Sequence, residues 1–274
     1  MDRTNTLRTR ALAALAITDP AGKVAAARAL GTAGGPVGAG AMLAEPDGLP
    51  GRPPRPRLVP HTDVWSGSVG SREGRAALLH AIAHIEFNAI DLALDAVWRF
   101  PGLPDDFYRD WARVADDEAR HFMLLADHLA TLGFVYGDFD AHHGLWDMAE
   151  RTRHDPLARL GLVPRTLEAR GLDASPPLRR KLAAAGDLAA AAILDVILAD
   201  EIGHVAIGNR WYRWLCEQRG LDPLATFAAL TIRYDAPRPR APLNLDARRA
   251  AGFSEAELVA IEAAAIGAGS KRKA

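Results

Sequence analysis

The chain has 274 residues, 49% of them hydrophobic, and a formal net charge of −1 at pH 7. That length and apolar content suffice for one sizeable core, and a charge so close to zero excludes a global pull toward nucleic acid or an anionic membrane. The one cysteine, Cys216, excludes an internal disulfide and a four-cysteine iron site, and it reads as a small buried hydrophobe on a helix.

Arg3, Arg8 and Arg10 followed by Ala11 to Ile17 imitate a secretory signal. The apolar run is at the short limit for one and leads into Thr18-Asp19-Pro20 without a small-residue cleavage site, so a cytoplasmic protein is expected. Asp19 as N-cap and Pro20 at the first helical position predict a second short helix through Leu30, making 1–30 an accessory helical hairpin. Residues 31–60 carry seven glycines and seven prolines, too many breakers for helix or strand, and a wrapping segment or linker over 31–70 is expected. Within it Arg52, Arg55 and Arg57 suit either a solvated linker or contact with an anionic partner.

Helical periodicity then starts. From Arg72 to Arg99 the apolar stripe runs Leu79, Ala83, Phe87, Ile90, Leu94 and Val97, with Glu86 embedded in it. His80 and His84 lie about 120° and about 200° around that helix from Glu86, so they read as packing or supporting groups. Pro101-Gly102-Leu103-Pro104 breaks the helix, and a second one is predicted from Asp105 to Leu132, ended by Gly133. Trp111 and His128 continue the stripe of Glu118 and His121 by seven residues; Trp111 reads as core packing, and His128 is too far along the helix to join His121. Residues 133–155, with His142 and His143 facing solvent, fit a long crossover. A helix is expected over Asp155 to Arg170, kinked by Pro164 just before Glu168. Pro176-Pro177 is read as the start of a short connecting helix, and Asp187 as the opening of a long one through Cys216. Its apolar run Leu188 to Leu198 is too short to cross a bilayer. A helix from Asp222-Pro223 to Tyr234, an extended Ala236–Pro242 segment, a terminal helix capped by Ser254 and Glu257, and the basic tail Lys271-Arg272-Lys273 complete the chain.

Two short motifs carry chemistry. Asp117-Glu118-Ala119-Arg120-His121 and Asp200-Glu201-Ile202-Gly203-His204 each place Glu and His at i and i+3, on one helix face, where a carboxylate oxygen and an imidazole nitrogen can meet one metal ion. A single copy is weak; two copies inside apolar helices are sharper. A bundle-core dinuclear site needs one further Glu from each of two other helices. Glu86 precedes Glu118 by 32 residues and Glu168 precedes Glu201 by 33. The breaker at 101–104 lies near the midpoint of the first interval, so two helices of about 16 residues, roughly 24 Å each way, return both carboxylates to one height. Glu168 also has an ordinary reading as a surface salt bridge to Arg165 or Arg170. Asp117 and Asp200 are candidates to hydrogen-bond the imidazole of the opposite motif, Asp117 to His204 and Asp200 to His121, or else solvated acids.

This order, Glu, Glu-x-x-His, Glu, Glu-x-x-His, resembles that of the ferritin-like di-metal carboxylate superfamily. His84-Ile85-Glu86, Thr166-Leu167-Glu168-Ala169-Arg170-Gly171-Leu172 and Ala250-Ala251-Gly252-Phe253 further resemble the ferritin-like family known as domain of unknown function 455, over most of the chain. The resemblance implies an all-α fold: a ferritin-like four-helix bundle over 71–219 with a long crossover, flanked by the N-terminal helices and by a helical extension, 220–274, packed on the bundle. It brings no reaction with it.

Four carboxylates and two imidazoles suit two iron ions, with manganese second and zinc as a contaminant. The expected function is an oxygen- or peroxide-dependent oxidase or hydroxylase acting on a small molecule or a modified nucleotide, with the extra terminal segments shaping a pocket and holding the protein to a monomer or homodimer. Ferroxidase or metal storage, and catalase-type peroxide removal, stay open. A tyrosyl-radical role is disfavoured because Tyr108 and Tyr212 stand far from the ligands in sequence.

Overall fold

The computed structural model describes residues 5–32 and 34–270, so Arg3 and the basic tail at 271–273 lie outside the described residues. Among them the regular structure is all helical, with no strand and a single isolated bridge between Leu58 and Ala141. The chain forms two compact units, Met1–Trp146 and Asp147–Ala274.

The first unit is built on α3 (Arg72–Arg99) and α4 (Asp105–Thr131). Ser71 caps α3 by accepting from the Gly74 N–H, and the chain turns between the helices through Gly102 at φ 79°, a left-handed conformation that favours glycine. Onto this pair pack α1 (Leu7–Leu15), against α3, and α2 (Pro20–Gly31), mainly against α4. Asp19 and Pro20 start α2 as the sequence predicts. The Gly/Pro-rich stretch has no regular structure, yet it is tied down. Buried Arg8 donates to the carbonyls of Gly38, Ala39, Ala41 and Trp98, and buried Lys23 donates to the Gly51 carbonyl and to Asp91. These cations satisfy carbonyls that no helix or sheet would serve. Arg57 pairs with Asp140 beside the Leu58–Ala141 bridge.

Helix α3 is long and apolar enough to cross a membrane, but 83% of its most apolar window is buried inside the protein. It carries three buried acids, each with a different partner: Asp91 meets Lys23, Asp95 meets Arg99 at 2.8 Å, and Glu86 meets His121 at 3.1 Å.

The second unit holds α6 (Pro156–Leu162), a π-turn (Val163–Glu168), α7 (Ala169–Ala184), α8 (Leu188–Gln218), α9 (Pro223–Arg233), α10 (Leu245–Ala250) and α11 (Glu255–Ser270); α5 (Gly144–Arg151) spans the boundary between units. The kink expected at Pro164 is a whole turn of π-helix. Proline offers no N–H to the ladder, and the widened turn absorbs the loss; Thr166 Oγ1 donates to the Gly161 carbonyl five residues back, at 2.8 Å. Gly208 of α8 lets this turn sit close, because a Cβ there would stand 2.5 Å from Pro164 Cβ.

Pro176 and Pro177 do not begin a helix; they lie inside α7. The Leu172 carbonyl, which would receive the missing Pro176 N–H in a regular helix, accepts from the Asn244 side chain at 3.2 Å. Asp187 and Asp222 cap α8 and α9 as read from the sequence. Ser254 and Glu257 form the expected reciprocal cap on α11: the Ser254 N–H donates to Glu257 Oε2 at 2.8 Å, and the Glu257 N–H donates to Ser254 Oγ at 3.3 Å. Two short helices, α5 and α10, are additions to the sequence reading.

Candidate metal centre

In the first unit, α3 supplies Glu86 and the adjacent α4 supplies Glu118 and His121, one helical turn apart. Each offers a ligand atom, and these atoms lie within 4.8 Å of one another. His121 Nδ1 is 3.1 Å from Glu86 Oε2 and 3.3 Å from Glu118 Oε2. Glu86 is 5% exposed, and Glu118 and His121 are fully buried.

Two carboxylates buried together are costly without compensating positive charge. Burial alone would depress the His121 imidazolium, but hydrogen bonds and charge from Glu118 and Glu86 overcome it and raise its pKa to about 11. Both carboxylates therefore favour positive charge at this position. Carboxylate oxygens and an imidazole nitrogen form a donor set for iron, manganese or zinc. This buried Glu/His cluster is able to hold a metal ion.

In the second unit, Glu201 and His204 on α8 repeat the spacing, with Glu201 Oε1 3.7 Å from His204 Nδ1; they are 8% and 2% exposed. Glu168 is the last residue of the π-turn and is half-buried. Arg165, a candidate salt-bridge partner for Glu168 in the sequence, donates instead to Glu257 and Asn209, each at 2.7 Å. Asp117 is 39% exposed at its side chain and pairs with Arg120 of its own helix at 3.3 Å, while Asp200 is half-buried.

His80 and His84 serve packing, as their angular positions on α3 predict. His84 Nδ1 is 2.8 Å from the Tyr136 hydroxyl and its Nε2 is 3.1 Å from the His142 carbonyl; His80 Nε2 accepts from the Gly137 N–H at 2.9 Å. Both hold the stretch after α4 against α3. Burial lowers the pKa of His80 to about 4 and that of His84 to about 3, the latter also pressed down by His80. Sequence reasoning missed Tyr136. Its ring stacks on His80 and His84 and packs at 5.4 Å and 4.9 Å against Phe87 and Phe122, the residues that follow Glu86 and His121. A tyrosine on the far side of a helix break gives no periodic signal to read. Trp111 is buried against Phe107, as core, and Cys216 is buried with its thiol pKa raised by that burial.

An all-helical protein with a buried carboxylate and histidine cluster able to bind metal is the class that fold and site define. The chain belongs to the family described as Protein of unknown function (DUF455), whose model matches residues 16–259. An uncharacterized protein of Haemophilus influenzae is 52% identical over 219 residues, covering 77% of this chain and 76% of the relative. No solved structure matches the chain.

Proposed function

We propose that the chain is a ferritin-like di-metal carboxylate protein in which Glu86, Glu118 and His121 act together with Glu168, Glu201 and His204 to hold two iron ions, or two manganese ions, and that it works as an oxygen- or peroxide-dependent oxidase or hydroxylase. The observation that carries this reading is the burial of Glu86 and Glu118 beside His121, with ligand atoms converging inside a helical core. The repeat of the Glu-x-x-His spacing in the second unit, also buried, supports the second half of the ligand set.

The bound ions would supply redox chemistry toward dioxygen or peroxide. The four carboxylates would balance the charge of two divalent ions, and the imidazoles would complete the donor set. In this reading Asp117 and Asp200 orient the ligating imidazoles. The substrate is a small molecule or a modified nucleotide. A cytoplasmic location belongs to the same reading, supported by a fold that needs no disulfide. So does a monomeric or dimeric state, supported by α1 and α2 covering α3 and α4 in the first unit.

The test is anaerobic purification, reconstitution with ferrous iron and metal analysis, followed by exposure to dioxygen and to peroxide. Two ions per chain are expected, lost together in Glu118→Ala and in Glu201→Ala, with consumption of one oxidant. One ion or none overturns the dinuclear reading, and two ions inert to both oxidants overturn the redox reading. A closed many-subunit shell in light scattering, with iron uptake beyond two per chain, would put storage in its place.

A further inference from the structure

The second unit contains a cavity of about 270 Å³ that the metal ligands do not line. Its apolar wall comes from α9 and α11, through Leu224, Phe227, Ile261 and Ala264, and the extended Ala236–Pro239 segment closes one side. Set into this lining are four arginines, Arg165, Arg170, Arg238 and Arg248, against one acid, Glu257. An apolar pocket with a few convergent polar groups is the usual form of a small-molecule site.

The arginines divide into two kinds. Arg165 and Arg248 are structural: Arg165 is held by Glu257 and Asn209 between the rings of Tyr212, Phe227 and Phe253, and Arg248 is paired with Asp173 at 2.6 Å. Arg165 Nε is nevertheless buried with no hydrogen-bond acceptor. Arg170 and Arg238 make no ion pair or hydrogen bond among the described residues. Arg170 is half-buried, and its pKa is lowered by that burial and by the neighbouring Arg240, with only a partial offset from Asp173. Asp173 is itself taken by Arg248 and by the Asn244 N–H. The lining of an apolar cavity thus carries two arginines, Arg170 and Arg238, that no ion pair neutralises among the described residues.

We propose that this cavity binds a small amphipathic organic anion, with its apolar body between α9 and α11 and a carboxylate or phosphate head on Arg170 and Arg238. Guanidinium groups favour both heads through paired, charge-assisted hydrogen bonds. The chain's own terminal residues do not suit the site, since Lys271-Arg272-Lys273 is basic and the arginines would repel it. The proposal is independent of the metal reading, because no proposed ligand residue lines the cavity.

The test is calorimetric titration of the full chain, both as purified and after chelation, with octanoate, octyl phosphate, octanol and inorganic phosphate. One octyl anion should bind per chain, roughly tenfold or more tighter than octanol or inorganic phosphate, and the tighter of the two anions identifies the head group. Arg170→Gln and Arg238→Gln should each weaken it by roughly tenfold, and Ala228→Trp, which fills the cavity, should abolish it. Arg238 is exposed, so its variant carries the test if Arg170→Gln or Ala228→Trp fails to fold. No binding of either anion overturns the proposal, as does octanol binding equal to the anions or affinity unchanged in the arginine variants. Binding that persists after chelation supports this site whatever becomes of the metal centre, and binding lost on chelation overturns its independence.

Discussion

His121 Nδ1 reaches Glu86 Oε2 at 3.1 Å across the α3–α4 pair, and the same nitrogen is 3.3 Å from Glu118 Oε2 on its own helix. One imidazole therefore links two carboxylates that come from sequence positions 32 residues apart. The other two buried acids of α3 are matched by full cations, Lys23 and Arg99. Glu86 is the one matched by a group that can exchange its proton for a metal.

If the cluster binds metal in the native state and not in the unfolded chain, metal must stabilise the fold. At a free concentration a thousandfold above Kd the gain is about 4 kcal/mol. Reconstituted wild type should lose stability of that order when chelated, and Glu118→Ala should show no chelator effect. Paired thermal melts check this; identical wild-type melts with and without chelator would sink the idea.

The Lys23–Asp91 pair ties α2 to α3 in the core, with both side chains buried. Breaking such a pair from one side strands a charge, which costs about 3–5 kcal/mol, whereas replacing both partners with apolar groups can be neutral. Lys23→Met should therefore be strongly destabilising in urea titrations, and Lys23→Met with Asp91→Leu should recover much of the loss. A double variant no more stable than the single one would show that the ion pair itself holds α2 in place.

The parts of the fold read correctly from sequence are those whose cause is local. The caps at Asp19, Asp187 and Asp222 and the stops at Gly102 and Gly133 are all set within a few residues. Glu118 and His121 share a helix face by spacing alone, and Glu86 joins them because a short break makes the helices pack. Pro176-Pro177 misled for the opposite reason: the group that relieves the Leu172 carbonyl is Asn244, 72 residues away. Pro164 announced a disturbance but not its form, since the π-turn depends on Gly208 in another helix giving it room. Helices α5 and α10, of eight and six residues, are too short to show a period.

Acid should weaken the fold through His80 before the ordinary carboxylates titrate. Its folded pKa is about 4 against 6.5 for the free side chain, because burial disfavours the charged ring. A base whose pKa is lowered on folding contributes stability that is complete above pH 6.5 and is lost as pH falls toward 4, where the unfolded chain takes up a proton that the folded chain refuses. The loss is up to about 3 kcal/mol. His80→Gln, which can still accept from the Gly137 N–H, should have a shallower decline than wild type between pH 6.5 and 4 in urea titrations. Parallel declines would mean that His80 titrates normally in the folded protein.

The same substitution at two glycines of α8 should act in opposite directions. A Cβ at Gly203 meets nothing within 4 Å among the described residues, whereas one at Gly208 would lie 2.5 Å from Pro164 Cβ and 2.8 Å from its Cγ. In a helix interior, alanine in place of glycine is worth about 1 kcal/mol, so Gly203→Ala should stabilise the metal-free protein by that amount. At position 208 the same gain is opposed by overpacking of about 1–3 kcal/mol. A rigid pyrrolidine ring seated in a π-turn cannot swing aside as a flexible side chain can, so overpacking wins and Gly208→Ala should destabilise. The strain falls on Val163–Glu168, whose last residue is a proposed ligand. Gly208→Ala should therefore also lower the number of metal ions retained per chain in a dilute chelator, while leaving the caps of α8 intact. Urea titrations of both variants in chelator, with metal analysis of the reconstituted proteins, decide the matter. If Gly208→Ala is as stable as Gly203→Ala, the π-turn does not depend on the missing side chain, and the close approach of Pro164 to α8 is not what shapes it.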